Sequence, residues 1–298
     1  MLALGHHVFG ARNTTLAALL PAARQLGFQQ LSLTGADSVP RPGPFAAAQR
    51  ETGVRIVAVR AGCLDARIGA ARLASEDLAS LDPARSARAY SALAEHAAFA
   101  RSVGCPLLIL DGGRGDAPEL DDRVRHLEGF IARGESCAEA AEEIRLMARK
   151  DRDLQLDRLC RLLHRLAREH AEMRWALLPA TRPDELLDGE SARSVLSDLR
   201  LPQLGIWVDV GRQRVGERMG CEPSVHVLAT LAPHLVGLDL HDAQGHRDHL
   251  VPGDGEVDWR MVAEQAPRGA TRVLSLETAA RREDLERARR VLESLELA

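Results

Sequence analysis

The feature that most constrains this chain is a rhythm: short apolar runs alternate with longer amphipathic ones from end to end. Strands are expected in LALGHHVF (2–9), QQLSLTG (29–35), VRIVAVRAG (54–62), CPLLILDGG (105–113), RWALLPA (174–180), LGIWVDVG (204–211), HLVGLDLH (234–241) and RVLSLETA (272–279). Helical spacing follows each of them. A first helix is expected over 14–26, with Asn13 or Thr14 as its cap and Gly27 closing it, and a second over 45–52. A long one runs from Asp82-Pro83 to Gly104, and others are expected at 154–170, 191–199, 224–231 and 283–295. Repeated strand-then-helix units require a parallel sheet covered by helices. Eight of them match a closed (β/α)8 TIM barrel rather than an open doubly wound sheet, and 298 residues suit one such domain. Region 114–151, rich in charge and alanine, breaks the rhythm and is expected as a helical insertion between the fourth strand and its main helix.

Composition removes several functional classes. A net charge of -4 gives no reason to expect a nucleic-acid partner. Lys150 is the only lysine, so arginine is the general source of positive charge here and not by itself a phosphate signal. The five cysteines are scattered and form no C-x-x-C pair, which argues against a disulfide framework or a structural zinc site. No apolar run approaches membrane-spanning length and no signal peptide is evident, so a cytoplasmic protein without a membrane partner is expected. The first strand lacks a dinucleotide fingerprint, and neither a P-loop nor a G-x-S-x-G pattern occurs.

In a barrel the reacting groups come from the C-terminal ends of the strands. Those ends carry His6 and His7, Thr34, Cys63, Asp111, Thr181, Asp209 with Arg212, Asp239 with His241, and Glu277. The richest stretch is LDLHDAQGHRDHLVPGDGEVDW (238–259), a polar loop in which Asp242, His246, Asp248 and His249 follow the seventh strand. A Gly253-Asp254-Gly255 turn then leads to a helix starting at Asp258-Trp259. Strand alternation puts Asp239 and His241 on one face, Trp207 and Asp209 on one face, and Ser275 with Glu277 on one face. Carboxylates converging in a barrel mouth repel unless protons or a cation neutralise them. Mg²⁺ or Mn²⁺ suits such oxygen donors, with Zn²⁺ a poorer match. Cys63 and Cys105 read as core residues, and His96, His164 and His170 as helix surface or packing residues. The group formed by Asp209, Asp239, His241 and Glu277 stands apart because three successive strands deliver it.

These residues resemble the xylose-isomerase-like TIM barrels, the superfamily of sugar phosphate isomerases and epimerases. WVDVGR (207–212) resembles that family's sixth-strand motif, 238–259 its seventh-strand signature, and LSLET (274–278) its eighth strand, which ends in glutamate. RQLGFQQLSL (24–33) and ARSVGCPLLILDGG (100–113) resemble its helix-Gly-strand junctions. The resemblance implies a divalent cation held by Asp209, Asp239 and Glu277, with Glu277 and His241 as catalytic residues. Arg212, His6, Asp111, Asp242 and His249 would bind a small carbohydrate-like substrate, and a homodimer is compatible with the family. The chain also departs from the pattern. The fifth-strand glutamate falls at Leu178 and Pro179, the sixth-strand histidine is Arg212, and the second strand offers Ser32 and Thr34. Two functions follow. One is an isomerase or epimerase using metal-assisted proton transfer; the other is an inactive barrel that binds a small ligand or a protein partner without metal. Arg212 reaching Asp209 or Glu277 would favour the second, by placing a guanidinium where the cation belongs.

Overall fold

The computed structural model describes residues 1–9, 15–33, 45–63, 77–135, 137–277 and 280–298. Asn13, Thr14 and Thr34 lie outside them. Eight parallel strands close on themselves in the order β1 (Leu2–Gly5), β10 (Thr271–Leu274), β7 (Leu235–Leu240), β6 (Leu204–Asp209), β5 (Arg174–Leu178), β4 (Leu107–Asp111), β3 (Arg55–Arg60) and β2 (Gln30–Leu33). The barrel is the one the alternating pattern implies. Its strands are buried almost throughout, which is why they read as continuous apolar runs and not as half-polar ones.

Local chemistry sets the helix ends. In α1 (Leu16–Gln25) the cap is Thr15, whose hydroxyl accepts the Ala18 N–H at 3.2 Å, one residue later than expected. After α2 (Phe45–Thr52), α3 (Pro83–Ser102) starts where Asp82 accepts from Ala84 and Arg85 and proline occupies the first turn. Between β4 and the helix packed behind it, α6 (Arg152–Glu169), stand α4 (Leu120–Ala132) and α5 (Ala138–Arg149). Their apolar stripes build a small core of their own, with Leu120, Val124, Leu127 and Ile144 packed on Met219. The remaining cover is α7 (Gly189–Leu199), α8 (Val210–Arg218), α9 (Ser224–Leu231), α10 (Trp259–Gln265) and α11 (Arg282–Ser294). Among the described residues no helix is long and apolar enough to cross a membrane.

Two expectations need correction at the barrel rim. The stretch after the seventh strand is not an open loop but an antiparallel hairpin, β8 (Asp242–Gln244) with β9 (Arg247–Leu250). The eighth barrel strand stops at Leu274, three residues before Glu277. Beyond it, the Glu277 N–H donates to the His249 carbonyl of the hairpin, so the chain leaves the barrel to follow β9.

Candidate functional site

The C-terminal ends of β6 and β7 set two carboxylates side by side: Asp209 and Asp239 are direct partners in the strand register. Both side chains are buried, and each is held by protein donors. Asp239 Oδ2 accepts from Trp207 Nε1 at 3.0 Å, and Oδ1 accepts from the Ser275 hydroxyl at 3.2 Å. Asp209 Oδ1 bonds His241 Nε2 at 2.7 Å and accepts the Arg212 backbone N–H at 3.1 Å. The two acids therefore ionise unequally. Burial works against the charge on Asp209, but His241 and Arg212 hold it well below the usual carboxylate range. Burial, and then the Asp209 charge beside it, push Asp239 up to about 6.

His241 is fully buried and committed at both nitrogens. The His249 backbone N–H donates to Nδ1 at 2.8 Å, and a backbone N–H can only donate, so Nε2 carries the proton that bonds Asp209. Burial disfavours a charged ring and Asp209 favours one, leaving the His241 pKa raised. A second proton at Nδ1 would nevertheless meet the His249 N–H head on, and the neutral tautomer fits the geometry. The His249 ring packs on His241 with centroids 4.1 Å apart, and its Nδ1 donates to the Ser275 carbonyl at 3.0 Å. Burial, followed by the proximity of the His241 ring, lowers His249 below the usual imidazole value. Its φ of 58° puts a residue with a Cβ in the left-handed region. A Cβ on Gly211, at the start of α8, would fall on the His241 ring, so that glycine is what lets helix and histidine approach.

Asp242 begins the hairpin and is also fully buried. Its Oδ1 accepts from the Ala243 and Val257 N–H groups, and its Oδ2 from Gly253 N–H at 2.8 Å and Trp259 Nε1 at 2.9 Å. Four neutral donors on one carboxylate tie the hairpin, the Gly253 turn and the start of α10 together.

The facing side is built differently. Arg60 ends β3, and its guanidinium lies in the mouth at 15% exposure. One nitrogen is 3.2 Å from Asp111 Oδ1 and another 3.8 Å from Asp209 Oδ2. Burial would lower its pKa, but Asp111, Asp209 and Asp239 outweigh that and raise it. Arg212 lies at the rim, 43% exposed, with Nε 3.5 Å from both Asp209 and Asp248. Between them is a cleft of about 90 Å³ whose lining includes Arg60, Asp111, Leu178, Pro179, Arg182, Glu185, Asp209 and Arg212. Of the expected binding residues, Asp111 and Arg212 line this cleft. His6 is buried just beyond β1, while Asp242 and His249 are engaged in the hairpin. Glu277 does not join the group: it is 52% exposed, with Arg247 at 3.8 Å. Alternation put it on the Ser275 face, but alternation ends with the strand.

The residues that would hold a divalent cation do not fit one. Asp209 and Asp239 have oxygens already engaged by His241, Trp207 and Ser275, Glu277 is half exposed to solvent, and β5 beside them ends in the apolar Leu178. Among the described residues no three His, Cys, Asp or Glu side chains are disposed around a common metal position. The residue that sequence reasoning missed is Arg60. Its signal was available: in VRIVAVRAG it is the one charged residue near the C-terminal end of an apolar strand.

The xylose isomerase-like TIM barrel model matches residues 20–297. The chain belongs to that family. No curated protein matches it in sequence. Among solved structures, 3-keto-D-glucoside 4-epimerase from E. coli is similar at 15% identity and TM-score 0.62, over 100% of this chain and 99% of that one. L-ribulose 3-epimerase is similar at 16% identity and TM-score 0.66, over 99% of this chain and 94% of that one. The IOLI protein, whose structure holds a bound zinc atom, gives 13% identity and TM-score 0.66, over 99% and 97%. At these identities the likeness is one of fold. What the present barrel shares with this xylose isomerase-like family is the closed eight-stranded sheet.

Proposed function

We propose that this chain binds a small polyhydroxylated, carbohydrate-like ligand at the barrel mouth, without a divalent cation and without the two-carboxylate proton transfer implied by the family resemblance. One observation carries this reading. His241 and both adjacent carboxylates are engaged by protein partners, and β5, the next strand round the barrel from β6, ends in the apolar Leu178. Proton transfer at carbon needs a base within hydrogen-bond reach of the substrate. The carboxylates that line the cleft are already engaged, Asp111 by Arg60, Glu185 by the Thr181 N–H and Asp209 by His241, and together with Arg212 at the rim they offer donors and acceptors that suit hydroxyl groups. The sugar-acting proteins of the same fold support a carbohydrate as the ligand class.

One observation favours the alternative, a working isomerase or epimerase. Asp239, held near 6, has the acidity of a useful proton acceptor. At 2% exposure and with both oxygens bonded, it faces its neighbours and not the cleft. The two readings separate in one experiment. L-ribulose and D-fructose are titrated by calorimetry, and the same sugars are followed by NMR in D2O with and without Mn²⁺. Saturable binding of at least one sugar, weakened about 10-fold or more by Arg212→Ala through loss of a charged hydrogen bond, is the expected result. Exchange of the hydrogen next to the carbonyl, dependent on Mn²⁺, would establish the isomerase instead.

A further inference from the structure

Two carboxylates, Asp111 and Asp209, pair with one largely buried guanidinium at the barrel mouth, and a third, Asp239, stands beside Asp209 in the strand register. They come from three strands, β4, β6 and β7, and Arg60 enters from a fourth, β3. We propose that Arg60 is the resident cation of this barrel: its guanidinium holds the place a divalent ion would otherwise fill, and removing it makes the mouth dependent on such an ion. The inference rests on the cation-free reading above and adds the residue responsible.

The geometry supports the exchange in two ways. First, the guanidinium is a planar fork that meets two acids with two different nitrogens, Asp111 at 3.2 Å and Asp209 at 3.8 Å. Second, the remaining donors around these acids are mostly neutral: Trp207 and Ser275 on Asp239, the neutral His241 tautomer and a backbone N–H on Asp209. Arg212 is nearer to Asp209 than Arg60 is, 3.5 Å against 3.8 Å, but it lies at the half-exposed rim and is shared with Asp248. Buried carboxylates left without Arg60 must protonate, rearrange or recruit a cation. Loss of the guanidinium frees Asp111 Oδ1 and Asp209 Oδ2, oxygens that are engaged while Arg60 is present, and a hard divalent ion can take such carboxylate oxygens and complete its shell with water. A guanidinium keeps its proton at every accessible pH and, being covalent to the chain, cannot be chelated. The wild-type mouth is therefore a site whose positive charge does not leave.

The test uses the full chain with Mn²⁺ alone as the probe, followed by thermal unfolding and metal analysis after desalting. Wild type is expected to carry no stoichiometric Mn²⁺ and to show no shift. Arg60→Ala should gain a saturable Mn²⁺ response, with Tm rising on the order of 5 °C at an ion concentration far above Kd. Arg60→Lys, which keeps the charge, should stay indifferent to Mn²⁺. Adding Asp111→Asn to Arg60→Ala should weaken the acquired affinity about 10-fold, which ties the ion to this locus. Stoichiometric Mn²⁺ on the wild type would overturn the cation-free reading together with this inference. Arg60→Ala that folds and ignores Mn²⁺, or that fails to fold even in excess Mn²⁺, overturns the exchange alone.

Discussion

The two sides of the barrel mouth both carry buried acids, yet they neutralise them by different means. On the hairpin side, Asp242 is surrounded by four neutral N–H donors from the hairpin, the following turn and the indole of Trp259. On the β3–β6 side, Asp111 and Asp209 face the guanidiniums of Arg60 and Arg212. Neutral donors fix the course of the chain, since each is a backbone or core group that must be matched in one position. Guanidiniums set the charge of the opening and so govern what can enter it. Polar residues close together in the sequence can thus serve architecture, while the groups that define the cleft come from distant strands.

The largest test of that contrast is Asp242→Ala, which leaves several buried N–H groups without an acceptor. It should cost about 3–5 kcal/mol in urea unfolding. A loss below about 1 kcal/mol would show that the hairpin does not depend on its acid. Next is pH. Asp239, near 6 in the fold and ordinary when unfolded, binds a proton in the native state that the unfolded chain releases earlier. Its contribution is present at low pH and is lost as pH rises through about 6, the reverse of a carboxylate held by a cation. Asp239→Asn should therefore gain stability relative to the parent between pH 4 and 7, by up to about 3 kcal/mol. A flat difference would mean that Asp239 is an ordinary ionised acid. Gly211→Ala pushes a methyl into the His241 ring, and a loss of about 1–3 kcal/mol is expected from chemical denaturation. The smallest effect is Glu277→Gln, within about 0.5 kcal/mol of wild type because the side chain is exposed. A large change there, in stability or in Mn²⁺ uptake, would bring Glu277 back into the site and break the contrast.

The barrel was readable because buried parallel strands and amphipathic helices leave unmistakable periods, and eight cycles leave little choice of closure. The pairing of Asp209, Asp239 and His241 was equally accessible, since alternation within β6 and β7 decides which side chains share the interior. Glu277 was harder. Nothing in RVLSLETA shows that the ladder ends at Leu274, because the His249 carbonyl that captures the Glu277 N–H belongs to another element. Asp242 and His249 looked like ligand contacts because most of the groups that engage them are backbone, N–H donors on Asp242 and a C=O acceptor for His249, and these have no residue type to read. Arg60 was visible but unplaced: its meaning depends on Asp111 and Asp209, which are far from it along the chain and adjacent only across the closed sheet.

That closure also has a kinetic side. Leu2 pairs with Arg272 through the β1–β10 ladder, so the seam of the barrel joins residues made at opposite stages of synthesis. Until β10 leaves the ribosome, β1 has no partner on that edge and an apolar strand waits unpaired. Long-range parallel pairing of this kind folds slowly and exposes edges to aggregation while it waits. For this protein the last barrel strand serves as the latch of folding, and expression yield should be more sensitive to changes in Thr271–Leu274 than their effect on the finished fold would suggest.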